Sequence, residues 1–543
     1  MIFEAFRTVR ALSFPLLALL PCLGLTQNYA PGVPEPPICL QATVPSTPPG
    51  WPDTEASDFY YVDNSDTNAT DAQNPFGSRQ RPRHSIPGGE LAAGSYVELH
   101  GGPYASAGYN TIAGGSAADP VWIRGADRRN PTVIRAEWII SGRHLVIENL
   151  KFDRNRKNLA LVDSRAACVR YNVFAGPGQA VGNSAAVFVG ARTAESKSIG
   201  NVIYRNEIHH FGDASSEREN DYHGILVGRH SERTWILENE IYKNGGDGIQ
   251  VGSTNMSADM RPQRVFIARN RMYGNRENAV DIKRAVDVIV SSNVIHDYRP
   301  TSSSEGAAVV IHNHPEHIWI LDNVISNSEF GVINTGSLDT WLIGNVIYDV
   351  RNSLPEWKPD SGYASGAAMH FRGNSSGGAI GNTVAYYDIG LQLTQGGEGG
   401  YIVQNNIFAF RLAAAGDDIH VASGQFSRGL TISHNLHYGG ETAFKSSWAG
   451  RRYDSPAGLQ RSTGQFGASL VDDPAFVDAE GRDFRLRASS PAIGAGAHQD
   501  VEERFRERYG IGFDRDEGAF RRGAEPGPVI GAYFGAREEA PDT

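Results

Sequence analysis

Short runs of alternating apolar and polar residues, broken by glycine- and asparagine-bearing turns, fill the chain from Tyr96 to Tyr438. Examples are Tyr96-Val97-Glu98-Leu99, Val121-Trp122-Ile123-Arg124 and His144-Leu145-Val146-Ile147. Successive side chains of a strand point to opposite faces, so each run predicts a short β-strand with one buried face. The stretch from Glu277 to His312 shows the pattern well. Val280 and Ile282 share one face of its first strand, and Asp281 and Lys283 share the other. No helical periodicity intervenes between the runs.

The runs recur in a larger unit. A phrase of asparagine, any residue and an aliphatic appears at Asn201, Asn206, Asn239, Asn270, Asn293, Asn323, Asn345 and Asn382, and Asn406 and Asn435 close the series. The shortest steps, 323 to 345 and 270 to 293, are 22 and 23 residues. A period of this size marks a solenoid. One coil, read as AVDIK, DVIVSS and NVIHDY, offers three strands that stack on their counterparts in the next coil. A leucine-rich repeat would show a leucine scaffold, a propeller longer blades, and a β-sandwich would not repeat one phrase so often. Asparagine tolerates the left-handed backbone of a sharp bend, and one per coil lets the amides form a ladder. The expected fold is therefore all-β, a solenoid of parallel strands wound as a single chain.

Seven strands align without gaps on Ile225, Ile249, Val280, Val309, Val332, Met369 and Leu391, with Val227, Val251, Ile282, Ile311, Asn334, Phe371 and Leu393 two positions on. These residues fill the interior. The outward positions include Gln250, Asp281, Lys283, His312, His370 and Arg372. Coils lie about 4.8 Å apart, so the first four fall in one patch, with Gly228 and Gly252 leaving space beside it. The preceding turns add His223, Asp247, Glu277 and Asn278.

The remaining segments set the boundaries. Arg7 and Arg10 followed by an apolar run to Leu25 read as an export signal over residues 1–26, which places the protein in the extracellular space or periplasm. Eight prolines between Pro31 and Pro52 predict an extended linker over 27–57. The coils then occupy 58–445, and 446–543 hold the last coils and a C-terminal capping segment. No later segment is apolar enough to span a membrane. Cys39 and Cys168 remain after the signal, and whether they pair is open at this level. The net charge of -11 disfavours nucleic-acid binding by bulk charge. Against that background, Arg261 to Arg284 carries seven Arg or Lys and two acidic residues, which points to an anionic ligand.

The asparagine-punctuated coils resemble the right-handed parallel β-helix of the pectate-lyase-like superfamily from Asp58 to Tyr438. The stretch Asp473-Pro-Ala-Phe, the run from Asp483 to Gly496 and Val529-Ile-Gly-Ala-Tyr are similar to the C-terminal segment of many exported β-helix proteins. The first resemblance implies that a polysaccharide lies across the strand face. The pattern is most similar to calcium-dependent lyases of the chondroitinase B and alginate lyase type, with Lys283 and its acidic neighbours as the matching residues. It implies β-elimination on a uronic-acid polymer by a monomeric enzyme. Lys283 would be the base, its pKa depressed by Arg276 and Arg284, with His312 or Arg372 as proton donor or carboxylate clamp. Gln250, His370, Arg276, Arg284 and His223 would hold substrate, and Asp247, Asp281, Glu277 and Asn278 would hold Ca2+. The alternatives are a C5-epimerase, an inverting glycosidase using Asp247 and Asp281, and a non-catalytic carbohydrate-binding surface β-helix. The paired aspartates with later Gly-His-Gly and Arg-Ile-Lys of polygalacturonases are absent.

Overall fold

A computed structural model describes residues 28–36, 39–105, 108–154, 156–179, 184–217, 220–353, 366–373, 375–394, 400–422, 429–440, 444–513 and 528–532. The expected export signal lies outside them. The chain winds into a parallel β-helix in which each coil contributes one strand to each of three sheets. One sheet holds 13 strands in strict coil order. Parallel strands need crossovers, and here the other two sheets supply them.

The alternation read from the sequence sets the register. Ile225 pairs with Ile249, Ile249 with Val280, Val280 with Val309, Val309 with Val332, Val332 with Met369 and Met369 with Leu391. All seven are buried in one continuous core, as are Val227, Val251, Ile282, Ile311, Phe371 and Leu393. The exception, Asn334, is also buried, and its Oδ1 accepts a hydrogen bond from Ser337 Oγ at 2.5 Å. Below we call this strand set the site sheet.

The asparagines form the expected ladder. From Asn206 to Asn435, each Oδ1 accepts both the backbone N–H and the Nδ2 of the ladder residue one coil earlier, as between Asn270 and Asn293 at 2.9 and 3.0 Å. Two details differ from the sequence reading. Asn172 opens the ladder, whereas Asn201 bonds instead to Ala167 and Ser164. The left-handed residue of each bend is the one before the asparagine: Tyr171, Arg205, Glu238, Arg269, Ser292 and Asp322 all have positive φ. The asparagine thus secures the bend that its neighbour makes. A shorter ladder runs from Asn244 to Asn275 to the Tyr298 hydroxyl.

The proline-rich stretch is not a free linker. Asn28–Ala30 and Val33–Pro34 pair as a small antiparallel ribbon, and Tyr29, Ala30, Val33 and Cys39 are buried. They pack on the outer face of the third sheet against Trp235, Phe266 and Trp319, and Trp235 Nε1 donates to Pro34 O at 2.9 Å. The outward residues of that sheet are aromatic because this segment covers them. A disulfide joins Cys39 to Cys168. The C-terminal helix Val501–Tyr509 covers the same wall, with Phe505 against Trp319 at 4.8 Å between ring centroids. The hairpin Phe476–Asp478 and Asp483–Leu486 packs over Val346, Ala385, Ile407 and Leu436 of the ladder-bearing sheet. Leu459 of helix Pro456–Thr463 and Phe466 join the core, and the described residues from Phe476 onward pack on the outside of the coils.

Candidate active site

The site sheet carries the polar patch on its outer surface. Gln250 pairs with Asp281 across one step, and Lys283 with His312 across the next. Adjacency in the ladder becomes direct contact. Lys283 Nζ lies 2.7 Å from Asp281 Oδ2 and donates to Gln250 Oε1 at 3.1 Å. His312 Nε2 lies 2.9 Å from Asp281 Oδ1. Gln250 Nε2 in turn donates to Gly252 O at 3.1 Å, which fixes the amide orientation. Asp281 is buried, while the side chains of Lys283 and His312 keep 17% and 33% exposure. One carboxylate therefore holds a cation and an imidazole at the surface.

That arrangement settles the proton inventory. Burial opposes the charge on Lys283, but Asp281 and then Asp247 outweigh it and hold the ammonium well above the ordinary lysine range. Burial would raise Asp281, yet the hydrogen bond from His312 and the Lys283 charge hold its carboxyl low. In the neutral tautomer whose Nε2–H is directed at Asp281, the lone pair of His312 is on Nδ1, where Asn313 Nδ2 lies at 3.4 Å. The depressed lysine expected from neighbouring cations is not formed. Arg284 donates from Nε to Thr254 O at 2.8 Å, and Arg276 is buried at the turn edge, bonded to Ser216 O, Ser302 and Ser303.

Beside Lys283 lies a groove of about 470 Å³ lined by Lys157, Asp221, His223, Gln250, Thr254 and Lys283 among others. The space expected at Gly228 is taken by the Phe188 ring, which a Cβ there would meet at 2.7 Å. Gly252 adopts φ +78° and packs on Lys283 O, so it shapes the backbone instead of opening room. His223 forms the far wall. Its Nδ1 is 3.1 Å from the Asp247 N–H and 3.3 Å from Asp247 Oδ2, and its Nε2 is 3.7 Å from Asp221 Oδ1. Neutral, the ring accepts from the amide; charged, it donates to the carboxylate. Burial favours the neutral form, but the Asp247 bond and charge, with Asp221, outweigh it and raise the pKa.

The four residues expected to hold Ca2+ do not converge. Asp281 is spent on Lys283 and His312. Asp247 is fully buried and accepts from Asn278 N at 3.2 Å and Nδ2 at 2.8 Å, while Asn278 Oδ1 accepts from Ser304. Glu277 accepts from Ser303 Oγ and meets Arg276 at 3.5 Å. Burial, then the Asp247 charge, pushes Glu277 up to about 8, so its carboxyl keeps its proton at neutral pH. Calcium asks for six to eight oxygen ligands. Among the described residues no group of three or more His, Cys, Asp or Glu is placed to hold a metal ion. The donor set as folded does not fit Ca2+.

Two expected residues stand apart from the groove. Arg372 lies two rungs beyond His312 and bonds Thr335 Oγ1 at 2.8 Å and Glu305 Oε1 at 3.0 Å. His370 is buried, bonded to Thr394 at 3.0 Å and stacked on Phe330, and burial pushes its pKa down to about 3. It serves as a neutral packing residue. Lys157, Asp221 and Thr254 were not marked by the sequence, because their loops carry no strand alternation to place them.

Residues 138–347 match the family model described as right handed beta helix region. No curated protein matches the chain. Among solved structures, a PL6 family alginate lyase, AlyGC, is 14% identical, with 69% of this chain and 54% of that one covered and a TM-score of 0.43. The chain thus spans about half of that lyase. A mannuronic acid specific polysaccharide family 6 lyase from human gut microbiota is 15% identical over 70% and 87% of the two chains, TM-score 0.41. PfbA, a surface adhesin of Streptococcus pneumoniae, is 12% identical over 60% and 80%, TM-score 0.34. No helix of the described residues is long and apolar enough to cross a membrane. The chain is an all-β, right-handed parallel β-helix.

Proposed function

We propose that this protein is an exported polysaccharide lyase that cleaves a uronic-acid polymer by β-elimination in the groove beside Lys283. The observation that carries the reading is the Asp281 carboxylate bridging Lys283 at 2.7 Å and His312 at 2.9 Å. Lys283 stays protonated and neutralises the substrate carboxylate, which acidifies the proton on the adjacent carbon. His312 Nδ1 takes that proton. The C–H pair becomes the new carbon–carbon double bond, and the C–O bond to the leaving sugar breaks with its pair going to oxygen. His223, whose charged form is favoured by Asp247 and Asp221, supplies in that form a proton to that oxygen from Nε2. Its remaining Nδ1–H stays on Asp247. Base, acid and clamp are thus three side chains on one outer wall, and Lys283 takes the role of clamp in place of base.

The test is a screen of the purified protein against polymannuronate, polyguluronate, polygalacturonate and glucuronate-containing polymers, with and without chelator. An ultraviolet-absorbing unsaturated product, insensitive to chelator, supports the proposal. New reducing ends without that chromophore would make it a hydrolase, and inverted uronates without chain scission an epimerase. Binding with no product would make it a carbohydrate-binding β-helix.

A further inference from the structure

A second cavity, of about 720 Å³, lies at the C-terminal end of the coils. Five of its lining side chains are cations: Arg411, Lys445, Arg451, Arg452 and Arg461. Asp454 is the one acid among the described residues that line it. The cations come from separate elements. Arg411 lies before the Ile419–Val421 strand, and Lys445 immediately precedes the last site-sheet strand, Ser446–Trp448. Arg451 and Arg452 sit on the antiparallel strand that pairs with it, and Arg461 on helix Pro456–Thr463. Ser455, the N-cap of that helix, lines the same cavity and brings the positive end of the helix dipole to it.

The internal partners do not cancel this charge. Arg411 is paired with buried Asp418 at 2.6 Å. Lys445 Nζ donates to Ala414 O, and Arg452 donates to Ala415 O at 3.1 Å, both neutral carbonyls. Arg451 lies over the Tyr453 ring at 5.0 Å. Burial, then the charges of Arg452 and Arg411, lowers the pKa of Lys445, and Asp417 and Asp418 offset this only in part. In a protein of net charge -11, such a concentration of cation is a local feature with a local cause.

We infer that this cavity is a second anion site, which holds carboxylates of an acidic sugar chain at a distance from the Lys283 groove. Arginine forks fit carboxylates in pairs, and several on neighbouring elements suit a polymer more than a single ion. The place in the fold supports a chain ligand. From Val280 the site sheet steps through Val309, Val332, Met369, Leu391 and Ile419 to Ser446, six rungs or roughly 29 Å at about 4.8 Å each. A long chain leaving the groove along the stack reaches this end, and a short one does not. The inference rests on the reading that the ligand is an anionic sugar polymer, and not on the cleavage step.

The test is affinity electrophoresis of the full protein through gels cast with polygalacturonate, polymannuronate, neutral dextran or single-stranded DNA, scored against a polymer-free gel. The variant Arg451→Ser/Arg452→Ser/Arg461→Ser removes exposed side chains only, and an unchanged melting temperature verifies its fold. Wild type should be slowed by at least one polyuronate and not by dextran. The triple variant should bind that polymer roughly tenfold more weakly. Retardation that is equal in wild type and triple variant, or caused by DNA and by neither polyuronate, would overturn the inference, as would no retardation at all. Loss of retardation in the triple variant of a protein that cleaves nothing would overturn the lyase reading and leave this site standing.

Discussion

Replacing Lys283 by arginine separates the two roles a lysine can play at this position. As a base it must first lose a proton. An ordinary lysine titrates near 10.4, so deprotonation at pH 8 costs about 3 kcal/mol, at about 1.4 kcal/mol per unit. Asp281, 2.7 Å from Nζ, raises that cost further. As a clamp the lysine is already in its working state. Arginine cannot act as a base at pH 8 but keeps the cation, and the carboxylate of Asp281 remains to orient it. The expected outcome is that Lys283→Arg retains product formation within about tenfold of wild type. Lys283→Met should lose the charge-assisted contact of about 1.5–3 kcal/mol, or 10- to 100-fold in kcat/KM. Removing the base itself, in His312→Ala, should cost 10²- to 10⁴-fold. Both side chains point away from the core, and melting curves check that each variant keeps its fold. The assay is continuous ultraviolet detection of the unsaturated product at pH 8. An inactive Lys283→Arg beside a largely active His312→Ala would return the base to the lysine and end the argument made here.

Three further outcomes follow from the geometry. Asn293→Ala leaves the buried Asn270 N–H and Nδ2 without the acceptor they meet at 2.9 and 3.0 Å, a cost of roughly 2–6 kcal/mol; a denaturation midpoint like that of wild type would show that the ladder is not under tension. Glu277 has its pKa raised by burial, so the native state binds a proton that the unfolded state releases, and stability falls as pH rises from about 4.3 towards about 8. Glu277→Gln should flatten that slope and melt above wild type at pH 8, and parallel melting profiles of the two proteins across pH 5–8 would contradict the assignment. Cys39→Ser should lower stability by up to roughly 5 kcal/mol, the chain-entropy value for a loop of 129 residues; equal thermal denaturation of the two proteins would mean that packing alone retains the N-terminal segment.

The sequence carried the strand register because its alternation admits one interior set: moving Val280 outward would bring Asp281 inward. It also carried the neighbourhood of Gln250, Asp281, Lys283 and His312, since coil stacking turns equal positions into contacts. It did not carry which charge pairs with which. Asp281 was equally available to a metal or to Lys283, and the choice depends on side-chain reach across a rung. Arg276 and Arg284 count as cations in sequence, yet one is pinned by Ser302 and Ser303 and the other by Thr254 O. His370 looked exposed because its strand position is outward, and only the packing of Phe330 shows it buried. The proline-rich stretch misled in a similar way. Composition marks it as extended, which it is, but Tyr29 and Val33 find a partner surface far along the chain that no local pattern announces.

That clasp gives the molecule a sense of completion. A stack of coils grows rung by rung, and each rung needs only the one before it. The outer wall is different. Asn28 Nδ2 donates to Gly512 O across 484 residues of sequence, and Phe505 packs so tightly on Gly32 that a Cβ there would meet the ring at 2.7 Å. During synthesis the early segment therefore gains its last partners only once Phe505 and Gly512 have been made. A chain lacking Phe505 would leave Trp319 without the ring that meets it at 4.8 Å.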